Sequence, residues 1–114
     1  LLAAARIVNS VITGGGECQQ WFDRRGRSRG AFTVVLSSRW HPACLLLGWE
    51  TGTFGPGKTI HACPKVCSLH KVTVASLLVH ELAHHYCPPM FLGGERCANE
   101  GQAACTEEIA RADQ

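Results

Sequence analysis

The sequence has no apolar run long enough to cross a membrane, no internal repeat and no low-complexity linker. Its apolar opening, LLAAARIVNSVITGGG, is broken by Arg6, Asn9 and Ser10, which excludes a membrane span of about 20 apolar residues. No basic residues precede that apolar part, which argues against a secretory leader. No initiator Met opens the chain, so it is expected to be a domain cut from a longer protein. Charge of either sign is scarce. A net charge of +2 gives no basis for nucleic-acid binding. The one basic cluster, Arg24, Arg25, Arg27 and Arg29 within DRRGRSRG, is expected to be a solvated loop.

What is present suits one compact domain of 114 residues, with 46% apolar and 18% charged residues. Seven cysteines stand at positions 18, 44, 63, 67, 87, 97 and 105. The odd number leaves at least one unpaired. Their density favours two or three disulfides and an oxidising destination (secreted, periplasmic or a delivered effector), the alternative being a cytosolic chain with buried thiols. Periodicity and turn residues predict an α+β fold. A helix runs from Leu1 to about Thr13 and a further helical turn from Glu17 to Phe22. A buried strand covers residues 31–36. A second strand, 44–49, and a third, 58–63, form a hairpin around GTFGPG. Val74, Leu77, Leu78 and Leu82 then form an apolar helical stripe. Thr73 is the expected N-cap, and the helix ends near Tyr86, before Pro88-Pro89. A last helix spans residues 95–111.

Two motifs compete for one site. GTFGPGKT, residues 52–59, matches the phosphate-loop pattern. That loop works by opening into a helix whose amides face the phosphates. Here TIHACP follows, which reads as a strand, and no downstream strand ends in an Asp to hold magnesium. Nucleotide binding is therefore set aside.

HELAH, residues 80–84, has the context its chemistry needs. Spacing i, i+4 on a helix puts His80 and His84 on one face as metal ligands. Glu81, one position on, lies beside the metal and can take a proton from water activated by it. A catalytic zinc needs a third protein ligand, and Glu95, Glu100, Glu107 and Glu108 are available. Cys87 and Met90 stand where a metzincin needs Gly and His, which excludes that class. Cys63, Cys67 and His70 are an alternative, structural zinc group. His85 turns about 100° from the metal face. His85, Tyr86 and His61, with His70 more loosely, are candidates for contacts to an oxyanion or to substrate.

HELAHH followed by a Pro/Gly loop and Glu95-Arg96-Cys97-Ala98-Asn99 resembles the gluzincin pattern, H-E-x-x-H followed by E-x-x-A-[DN]. The resemblance covers residues 73–111. It implies a zincin-like metallopeptidase domain over residues 1–114 that cleaves peptide bonds. Glu95 becomes the third zinc ligand and Asn99 the residue supporting the ligands from behind. Glu95 stands eleven residues past His84, a shorter gap than in many gluzincins, so Glu100 is the reserve ligand. The upstream layout resembles the compact peptidase domains at the ends of bacterial polymorphic toxins, which implies a peptide or protein substrate and a cognate inhibitor or immunity protein. It also implies that residues 59–63 are an edge strand binding extended substrate. The alternative from a different class is a non-catalytic interaction module stabilised by zinc or disulfides.

Overall fold

The computed structural model describes residues 1–27, 32–46, 51–52 and 59–113. Its element order is α1 (Leu2–Ile12), α2 (Glu17–Asp23), β1 (Thr33–Leu36), α3 (Pro42–Leu45), β2 (Thr51–Gly52), β3 (Thr59–Ala62), α4 (Lys71–His84) and α5 (Gly94–Ala112), with short 3-10 turns at Pro64–Ser68 and Met90–Leu92. This is an α+β arrangement. No helix among the described residues is long and apolar enough to cross a membrane.

α1 buries Ala4, Ile7, Val8 and Val11, the i, i+3, i+4, i+7 face of an amphipathic helix. The chain leaves it through glycines, with Gly15 at φ 79° where a side chain would be strained. α2 starts at once, and its first turn leaves amide donors without helical partners. One of them is satisfied from a distance: the Cys18 amide donates to Glu108 Oε2 on α5 at 2.8 Å. The Cys18–Cys105 disulfide fastens the same two helices.

The basic cluster is not simply a solvated loop. Arg25 stacks over the Trp21 ring at 4.0 Å, and Arg27 is 8% exposed. The Arg25 guanidinium thereby covers part of the Trp21 ring face on α2. Arg29 lies outside the described residues.

The described strands form a sheet in the order β1-β3-β2. β1 runs parallel to β3, with Val34 opposite Ile60, and β2 runs antiparallel, with Thr51 opposite Ala62. Three expectations change here. β1 is an edge strand with Val35 and Leu36 exposed, so it is not the buried strand its apolar residues predict. β3 is the central strand, flanked on both sides, so residues 59–63 are not the open edge expected to bind substrate. The partner of β3 in the antiparallel pair is Thr51–Gly52, because Pro42–Leu45 turns helical. Pro42 has no amide to satisfy, and the amides of Cys44 and Leu45 both bond His41 O, so the turn is self-contained. Residues 47–49 of the expected strand, and 53–58 of the phosphate-loop match, lie outside the described residues.

α4 begins earlier than Thr73. His70 is its N-cap, with Nδ1 accepting from the Val72 amide at 3.2 Å, and Thr73 sits inside the helix. An imidazole nitrogen here does what a Ser or Asp oxygen usually does. The helix ends at His84 with His85 as its C-cap, so Tyr86 lies beyond it. α4 buries Val74, Ala75, Leu78, Val79, Leu82 and Ala83 against its neighbours, with Leu77 half-buried. α5 runs alongside. Lys71 at the start of α4 pairs with Asp113 at the end of α5 at 2.9 Å. Midway, Gly101 lets the helices approach: a Cβ there would lie 2.8 Å from the Trp21 ring and 2.9 Å from the Ala83 methyl.

Candidate metal centre

The C-terminal half of α4 carries His80 and His84 one turn apart, so both rings leave the same face. Their ring centroids are 4.9 Å apart and their Nε2 atoms 3.2 Å apart. The first turn of α5 delivers Glu95 to the same point. Its Oε1 is 2.9 Å from His80 Nε2 and its Oε2 is 3.2 Å from His84 Nε2. The helices hold this geometry because Ala83, next to His84, packs at the close approach made by Gly101. The two histidines are 13% exposed and Glu95 is 50% exposed, so the group opens to solvent on the side of α5's start.

Behind His80, Gln102 Oε1 lies 3.0 Å from Nδ1. Gln102 is seven residues after Glu95, two turns along the same face of α5. With Nδ1 donating to this oxygen, the neutral ring presents its Nε2 lone pair to the centre. Burial holds the His84 imidazole below its ordinary pKa, His80 nearby adds to this, and the Glu95 carboxylate opposes it. The neutral His84 ring is thereby favoured, and two imidazole nitrogens and a carboxylate converge on one point, a donor set that suits a cation. The separations fit one: ligands about 2.0–2.1 Å from a tetrahedral ion lie about 3.3 Å from each other. All three donor atoms lie within 4.8 Å of one another, and they form the one such group of three among the described residues. Two imidazoles with a carboxylate suit zinc and its neighbours in the transition series.

Glu81 is 13% exposed, with Oε1 4.0 Å from His80 Nε2. Burial raises its carboxyl above the ordinary value, His80 pulls it down, and Glu95 pushes it up again. Burial is the largest of these. The result is a more basic carboxylate beside the centre.

The structure separates the remaining sequence candidates. Glu100 faces away and lies 4.0 Å from Arg25, as expected for a residue five positions from Glu95 on a helix with 3.6 residues per turn. Glu108 caps α2. Asn99 is exposed and makes no hydrogen bond to the ligands; the amide that reaches them belongs to Gln102. Tyr86 stacks edge-on against Phe22 at 5.8 Å and belongs to the core packing. His85 is a half-buried cap residue. His61 lies on β3 with Nδ1 3.0 Å from Ser37 Oγ, which places it in the sheet. The cysteine zinc group does not form. Cys63 is bonded to Cys44, which removes its thiolate, and Cys67 is a free, exposed thiol. The third disulfide, Cys87–Cys97, completes three bridges, consistent with an extracellular location.

Gln102 is the one residue of the group that sequence reasoning missed. Its signal was position alone, i+7 from a candidate ligand on the same helix. Family models, curated proteins and solved structures were compared with the chain, and none matches it.

Proposed function

We propose that the chain is a zinc-dependent hydrolase, and specifically a peptidase of the gluzincin kind. The observation that carries this reading is the convergence of His80, His84 and Glu95 with a half-buried Glu81 beside them. His80, His84 and Glu95 would hold the zinc, which when bound supplies a Lewis acid that acidifies water and polarises a carbonyl oxygen.

The other steps belong to side chains of this chain. Glu81 takes a proton from the attacking water. Burial raises its pKa, which makes it a stronger base than an ordinary carboxylate. The protonated Glu81 then gives the proton to the departing amine nitrogen. Gln102 keeps the His80 ring in one tautomer and one orientation throughout. Three disulfides support an oxidising destination, which suits a secreted enzyme or delivered effector. In the effector case a cognate inhibitor protein would cover the metal centre.

The same three disulfides favour the second reading, an interaction module without catalysis. Two variants separate the two. Purified protein should contain close to one zinc per chain, lost in His84→Ala. Glu81→Gln should keep the zinc and lose hydrolysis of a mixed peptide pool by about 100-fold or more. Zinc bound with no cleavage by the wild-type chain would favour the interaction module. No zinc in protein never exposed to chelator would remove the hydrolase reading.

A further inference from the structure

We infer that the Cys87–Cys97 disulfide is the positioning device that makes Glu95 a metal ligand. The inference rests on the metal-site reading above and not on peptide cleavage.

The covalent path between the ligands carries the argument. Cys87 lies three residues past His84, and Cys97 lies two residues past Glu95. The bridge therefore replaces an eleven-residue connection between ligands on two helices with one of a few residues. It closes the excursion Pro88–Arg96, which holds two prolines, the exposed 3-10 turn Met90–Leu92 and Gly93 at φ 91°. Little else fixes the Glu95 side chain. It is half exposed, and among the described residues its carboxylate pairs only with the two imidazoles it would share with the metal. What places Glu95 is thus the backbone of α5's first turn. That turn is held by the Gly94 amide on Pro89 O at 3.1 Å, the Cys97 amide on Gly93 O at 3.1 Å, and the bridge itself. His80 differs, since Gln102 braces it and α4 is packed along its length.

The three bridges divide accordingly. Cys18–Cys105 is fully buried and joins α2 to α5 ten residues past Glu95 along that helix. Cys87–Cys97 is half-buried and lies within three residues of two ligands. Removing the first should cost stability; removing the second should cost metal affinity.

The test is zinc affinity by competition with a chromophoric chelator, at a temperature where circular dichroism shows each protein folded. C87S/C97S should bind zinc about 10–100-fold more weakly than the wild type, as when a group orienting a ligand is lost. C18S/C105S should bind as the wild type does; if it does not fold, C44S/C63S takes its place as the control. In a Glu95→Gln background, C87S/C97S should add little, because the residue it positions is already gone. Should C87S/C97S not fold, limited reduction and alkylation of the half-buried bridge in the folded protein gives the same comparison. Wild-type affinity in C87S/C97S overturns the inference. So does an equal loss in the control, or a full loss persisting with Glu95→Gln. A wild-type chain that binds no zinc overturns instead the metal-site reading beneath it.

Discussion

His80 Nδ1 and Gln102 Oε1 lie 3.0 Å apart, across the interface of the two helices that build the metal centre. This contact sets which nitrogen of His80 faces the centre. Gln102→Ala removes the acceptor and leaves the ring free to turn or change tautomer. Zinc affinity should fall about 10–100-fold in chelator competition, with the helical circular dichroism unchanged. Gln102→Glu keeps an acceptor at that position and should recover most of the loss. If Gln102→Ala binds zinc as tightly as the wild type, the contact is incidental.

The spacing of α4 from α5 depends on Gly101. A side chain there would press on the Trp21 ring and on Ala83, the neighbour of His84. Gly101→Val should destabilise the protein by about 1–3 kcal/mol, the usual range for overpacking a well-filled core. Thermal unfolding followed by tryptophan fluorescence reads this directly. Valine also has a better helix propensity than glycine, by a few tenths of a kcal/mol, so an unchanged or raised midpoint would mean that the helices separate easily.

The site was more legible in the sequence than the sheet, for a physical reason. HELAH carries its geometry locally, since four residues on a helix return to the same face. Local pattern left four glutamates open as the third ligand, and Glu95 was singled out by the resemblance of ERCAN to the gluzincin pattern. Gln102 was not, because its role depends on how α5 lies against α4, and no local pattern encodes that. The sheet order failed similarly. β1 and β3 are both apolar and β-branched, and composition does not say which lies at the centre of a sheet. That is decided by a parallel pairing between residues 33–36 and 59–62, across 26 positions of chain. The cap at His70 was missed because histidine is an unusual choice there. The single unpaired cysteine followed from an odd count, but not its identity as Cys67.

The cysteines give opposite expectations for two similar substitutions. Cys18–Cys105 closes a loop spanning 87 residues and sits fully buried between α2 and α5. C18S/C105S should lose about 2–5 kcal/mol in denaturant unfolding, from freeing the unfolded chain and burying two hydroxyls. Cys67 is exposed and unbonded, so Cys67→Ser should stay within about 0.5 kcal/mol of the wild type. A large loss in Cys67→Ser would show that a different set of cysteines is paired in solution.

The half-buried Glu81 makes a prediction about pH in the metal-free protein. Burial is the main cause that lifts its carboxyl above the ordinary value of 4.5. The unfolded chain then ionises this group at lower pH than the folded chain does. Below about 4.5 both states hold the proton, and the group costs nothing. As pH rises, the unfolded state is favoured by its easier ionisation, so the cost to stability grows until the folded carboxyl also ionises, and then stays constant. Glu81→Gln keeps the shape and removes the charge. The metal-free variant should therefore melt at a higher temperature than the metal-free wild type at pH 7–8, with the gap closing as pH falls toward 4. Melting curves of both chains across that range, in chelator, make the comparison. A gap that does not change with pH would place the effect in packing. A wild type that is the more stable chain at neutral pH would mean that His80 outweighs the burial, and Glu81 would then be a paired carboxylate and a poor base.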